Sequence, residues 1–152
     1  MSNVGGFINV DLEIAARTRA QLAPLIEQLE ERMFELYIGR IRSLYHAHYE
    51  SRGPASIRRK GRREKSPTAV IHELADAIEG LDTAGRRAWN AASIRDFNVG
   101  IEIPVGVWTV EHGIEADAIQ RIAALQGRVV FTVYQLAEIS RRRAGAAGAR
   151  KR

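Results

Sequence analysis

The chain has 152 residues, 45% hydrophobic and 27% charged, which is the make-up of one globular domain. The absence of cysteine excludes disulfides, thiolate metal sites and cysteine nucleophiles. The net charge of +5 hides a division: residues 52–65 hold seven basic side chains and one acid, the stretch from Arg141 onward holds six and no acid, and the remainder keeps 10 basic against 17 acidic residues, a net −7. An acidic body thus carries two basic appendages.

Met1-Ser2-Asn3-Val4-Gly5-Gly6 has neither the basic start nor the apolar centre of a signal peptide. No apolar run approaches the roughly 18 residues of a membrane span. A cytoplasmic protein without membrane contact is expected. Residues 7–14 are predicted as the first strand, because Ile8, Val10, Leu12 and Ile14 alternate with Asn9, Asp11 and Glu13. Thr18 and Gln21 then make a capping box for a helix whose apolar stripe is Leu22, Leu25, Ile26 and Leu29. Pro24 argues for a later start to that helix. Met33 to Ile38 is predicted as a second strand, with Phe34, Leu36 and Ile38 on its dry face and Glu35 and Tyr37 on its polar one. Residues 43–50 fit either a continuation or a returning hairpin arm.

Composition changes at Ser51. Residues 52–65, rich in Gly, Pro, Ser and Arg, are expected to form a mobile basic loop without a core of their own. Ser66-Pro67 restarts order as N-cap and first helical residue, Ile71, Leu74 and Ile78 mark the buried stripe, and Gly80 ends it. Asp82 caps a short helix that contains Arg86, Arg87 and Trp89 and ends around Ala92. Arg95 to Pro104 is the clearest strand: Phe97, Val99, Ile101 and Ile103 alternate with Asp96, Asn98, Gly100 and Glu102. Residues 105–110 read as a loop or short strand. Ala118, Ile119, Ile122 and Leu125 give the last helix, with Gly127 as its C′ stop, and 129–134 the last strand.

This order predicts an α+β fold: a ferredoxin-like βαββαβ sandwich with a helical insertion between the second and third core strands. One domain would span residues 1–140, followed by a basic tail at 141–152. Right-handed crossovers would set the first and third core strands side by side. Helices would cover one sheet face. The other would show Asn9, Asp11, Glu13, Glu35, Tyr37, Asn98, Glu102, Thr132 and Tyr134.

Arg95-Asp96-Phe97-Asn98-Val99-Gly100-Ile101, Ile114-Glu115-Ala116-Asp117, Leu125-Gln126-Gly127 and Val133-Tyr134 together resemble an uncharacterised family of bacterial domains. Its members include immunity proteins of polymorphic toxin systems. The resemblance covers roughly residues 86–135. It implies a compact α+β domain of binding type and no catalytic residues.

Three surfaces carry chemistry. Asp11 and Glu13 beside Asn98 and Glu102 would form an acidic face suited to a basic protein partner. Pairing with Arg40, Arg42 and Arg128 would instead leave that face merely solvated. Arg58, Arg59, Lys60, Arg62 and Arg63, with Arg141, Arg142 and Arg143, could bind nucleic acid or another polyanion through counterion release, although no aromatic residue interleaves the loop. His46, His48 and Glu50 alternate along one side of an extended segment in a metal-ligand pattern that nothing else in the chain completes. Trp89 and Trp108 read as core or loop anchors, with an interaction patch as the alternative for Trp108. The sequence contains no GxxxxGK[ST], GxSxG or HExxH motif, and no cofactor or catalytic residue is expected.

Overall fold

The computed structural model describes residues 6–55 and 66–135. Its elements are β1 (Phe7–Ala16), α1 (Arg19–Glu30), β2 (Met33–Ile41), β3 (Leu44–Ser51), α2 (Pro67–Glu79), α3 (Thr83–Ala91), β4 (Ile94–Ile103), α4 (Ala116–Ala124) and β5 (Arg128–Gln135). The alternating stretches are strands and the three capped stretches are helices. Thr18 makes both halves of its capping box with Gln21, and Pro24 is accommodated inside α1 rather than delaying its start. Ser66 accepts from the Ala69 amide and Asp82 from the Gly85 amide.

The five strands form one mixed sheet in the order β2-β3-β1-β4-β5, with β4 and β5 parallel and every other pair antiparallel. The α+β class and the adjacency of β1 and β4 are as expected. The ferredoxin-like order is not what forms. With two central strands and crossovers that skip one place, the last strand would flank β1. Residues 44–51 instead return as a hairpin arm, and β3 takes that place. The α4 crossover therefore sets β5 on the far side of β4.

The core lies between the sheet and four helices on one face. Val10, Leu12, Ile14, Phe97, Val99, Ala47 and Tyr49 meet Leu22, Leu25 and Leu29 of α1, Val70, Ile71 and Leu74 of α2, Trp89 of α3 and Ile122 of α4. Trp89 is fully buried and its indole donates to the Leu125 carbonyl at 2.9 Å, which ties α3 to the end of α4. Trp108 is 97% exposed and anchors no core. Arg121 joins α4 to α2 through Asp76 and Glu79 at 2.6 and 2.7 Å. Hydrogen bonds to Glu79 and then Asp76 hold its guanidinium above the usual arginine range.

Two bulges depart from strict alternation. Between Phe7 and Asn9 the register with β4 shifts, so Phe7 continues the buried side and Ile8 turns away from it. Between Glu35 and Tyr37 the register with β3 shifts as well. Glu35 therefore lies opposite Tyr49 on the helix-covered face, while Phe34 lies opposite Glu50 on the other and is half-exposed beneath Arg52. The dry face expected for Phe34, Leu36 and Ile38 holds only at Ile38. The bulge and the charges of Glu35 and Arg40 blunt the β2 margin of the sheet, whereas Val129 to Gln135 of β5 carry no charge and no bulge.

The end of α4 also departs from expectation. The Gly127 amide bonds the Ile122 carbonyl and the Gln126 amide bonds that of Ala123, both at 2.9 Å, which is a Schellman closure. The left-handed position falls on Gln126, at φ 55°, and not on the glycine. Gly127 is required for another reason: a Cβ there would stand 2.8 Å from the Phe97 ring. A left-handed glutamine costs backbone energy that glycine avoids, less glycine's own entropy loss. Gln126→Gly should therefore stabilise the fold by about 0.5–1 kcal/mol in urea denaturation; an unchanged or lowered midpoint would contradict this account of the turn.

Candidate functional site

The sheet face that no described helix covers collects the polar positions of three central strands. Antiparallel register sets Asp11 opposite both Glu50 and Asn98, Glu13 opposite both His48 and Asp96, and Asn9 opposite Gly100. Parallel register adds Arg128, Thr132 and Tyr134 beside Asp96, Gly100 and Glu102. Residues paired across strands share a face. All four sequence-predicted residues, Asp11, Glu13, Asn98 and Glu102, are thus brought together. Asp96, Glu50 and Asn9 join them.

An amide relay organises the centre. The Asn98 side chain donates to Glu13 Oε1 at 2.8 Å and accepts from the Thr132 hydroxyl at 2.8 Å, crossing β1, β4 and β5 in one chain of bonds. Asn9 donates through Nδ2 to Glu50. Asp96 is buried and held by both arms of Arg128, at 2.9 and 2.7 Å. Those bonds hold the Arg128 guanidinium above its ordinary range. Arg40 lies opposite Tyr45 and Arg42 in the β2–β3 turn, so of the three arginines considered, Arg128 is the one bonded to an acid of this face.

His46 and His48 share the face, with His46 Nδ1 3.2 Å from His48 Nε2, and Glu50 is engaged by Asn9. Among the described residues no group of three His, Cys, Asp or Glu stands close enough to hold a metal ion. His46 and His48 therefore meet, but Glu50 does not join them as a third ligand. His112 is remote from it, against Phe7, and His72 bridges α2 to α4 through Asp117. The basic residues Arg58, Arg59, Lys60, Arg62, Arg63, Arg141, Arg142 and Arg143 lie outside the described residues.

A pocket of about 360 Å³ opens where Ile8 bulges, between Asn9 and Asp11 of β1, Gly100 and Glu102 of β4, and Tyr134 with Gln135 of β5. Sequence reasoning missed it. Its signals were an asparagine in line with the acids of β1 and a glycine in line with those of β4, and neither discloses a bulge. A larger depression of about 480 Å³ borders α3 between Leu81 and Asn90. Its carboxylate, Asp82, is already spent on the Gly85 amide and Gln28.

No protein-family model, no curated protein and no solved structure matches the chain. Among the described residues no helix is long and apolar enough to cross a membrane.

Partial burial, and then the neighbouring His48, lower the His46 pKa below 6.5, with Glu13 acting the other way. A histidine depressed in the folded state binds fewer protons there than when unfolded. Its contribution to stability is therefore full above the unfolded value and declines as pH falls from there through the folded one. In an NMR titration the His46 ring should have a midpoint below 6.5, and His48→Gln should raise it. A midpoint at or above the ordinary histidine value would overturn this placement of the ring.

Proposed function

We propose that this chain is a non-catalytic protein-binding domain of immunity type, which receives a basic partner on its open sheet face. The observation that carries the reading is the convergence of Asp11, Glu13, Glu50 and Glu102, beside the Arg128–Asp96 pair, on the face that no described helix covers. One-sided carboxylate charge steers a cationic partner and repels an anionic one. The amide relay fixes Glu13, Asn9 engages Glu50 and Arg128 fixes Asp96, which lowers the cost of ordering these three on binding. The described part of this face offers hydrogen-bond acceptors over a broad area, as a docking surface does.

Reversing the charge at two partly exposed positions is the direct test. Asp11→Lys with Glu102→Lys should keep the far-ultraviolet circular dichroism of the parent and lose its captured basic proteins in pull-downs from the native host. Recovery of the same proteins by the double variant would remove this face from the binding role.

A second reading is supported by the segregation of charge along the chain, with 13 of 23 basic residues in 52–65 and 141–152. In that reading Arg58, Arg59, Lys60, Arg62, Arg63, Arg141, Arg142 and Arg143 bind nucleic acid or another polyanion. Affinity for a mixed-sequence duplex should fall steeply between about 50 and about 200 mM salt, and changing these eight residues to Gln should flatten that dependence. Unchanged affinity in the substituted chain would exclude these residues.

A further inference from the structure

The pocket beside the Ile8 bulge contains an unsatisfied acceptor. Asn9 is only 7% exposed, and its Oδ1 is buried without a hydrogen-bond partner among the described residues. The orientation of the amide has a chemical cause. An ionised Glu50 carboxylate has only acceptors to offer, so Asn9 must present its nitrogen to it, and the oxygen is left over. A carbonyl shut away without a donor is a standing cost that an incoming N–H would relieve.

The pocket's other groups define what could bring that N–H. Glu102 lines it from β4 and Asp11 adds charge from β1, while Tyr134, half-exposed and next to Glu102 in the register, offers a ring at the rim. Gly100 places no side chain in the space opposite Asn9. Glu102 lies two residues along β4 from the residue opposite Asn9, and such diagonal neighbours stand about 7–8 Å apart. A planar group with donors on several edges can span that separation and lie against an aromatic ring, whereas an ammonium is a compact point.

We infer that the pocket takes a guanidinium group, the side chain of an arginine presented by the partner protein. The inference rests on the acidic-face reading and names the anchor of that interaction. One planar edge serves the Asn9 oxygen and another the Glu102 carboxylate, with the Tyr134 ring against the plane. Because the Asn9 oxygen lies beneath the surface, a neighbouring side chain has to turn aside as the group enters.

The test is a titration of the full-length, nitrogen-15-labelled chain with Nα-acetyl-arginine methylamide, followed by NMR, with the lysine analogue in parallel. Saturable shifts are expected at Ile8 to Asp11, Gly100 to Glu102, and Tyr134 to Gln135, with the lysine compound binding about tenfold more weakly. Glu102→Gln, which keeps the size of the side chain, should weaken the arginine compound by about tenfold or more. Absence of saturation, equal response to both compounds, or shifts centred on Glu13 and Glu50 would overturn the inference. The two readings fail separately. Partner capture abolished by charge reversal, with no arginine response, removes the guanidinium site and leaves the acidic face standing. Capture that survives charge reversal removes the face, whatever the arginine compound does.

Discussion

The pairing of β1 with β4 is the constraint on which the rest of the molecule depends. Its register sets Leu12 against Phe97 and Val10 against Val99 on the covered side, and Asp11 against Asn98 and Glu13 against Asp96 on the open side. The side-chain period along a strand is two, so a slip of one residue in either strand would exchange the two sides completely. The buried side penalises that slip: Val10, Leu12, Ile14 and Phe97 would face water while Asp11 and Glu13 entered the core. Hydrophobic burial thereby fixes the position of the carboxylates to within a residue. The polar face is in this sense a by-product of the core, and the core pins it more firmly than its own hydrogen bonds could.

Those hydrogen bonds have a different role. Asn98 links Glu13 to Thr132 across three strands, Arg128 forks onto Asp96, and Asn9 engages Glu50. Each uses a side chain that can satisfy a carboxylate or an amide in one orientation only. Glu13, Glu50 and Asp96 are held at fixed positions rather than left to sample rotamers. Acceptors fixed in this way on a flat surface suit recognition of donors on another molecule, because little ordering entropy remains to be lost.

Much of this was legible in the sequence, and the division follows the range of the forces involved. Caps at Thr18, Ser66 and Asp82 are local chemistry, and the structure places all three. Alternation in Arg95 to Pro104 and near the N-terminus correctly gave two strands with their acids on one side. What periodicity cannot show is a change of phase within a strand. The bulge at Ile8 created the pocket, and the one between Glu35 and Tyr37 moved Glu35 to the covered face and Phe34 out of it. Nor does a sequence show which strand enters the gap beside β1, since a hairpin arm and a crossover strand can compete for it; β3 took the place and changed the order of the sheet. At the end of α4, Gly127 read as the left-handed residue because glycine usually is. The close approach of the turn to Phe97, a long-range contact, required a glycine one position later and left the unusual dihedral to Gln126.

The unequal margins of the sheet carry a last consequence. One side ends in a strand that is kinked and charged, the other in seven uncharged residues whose outward backbone groups have no strand partner among the described residues. Lateral growth of the sheet would accordingly proceed from β5 and not from β2. It would also stop at a single layer: the carboxylates of β1 and β4 would meet their own kind if two such sheets approached open face to open face, and that repulsion opposes the dry stacking on which a fibril depends.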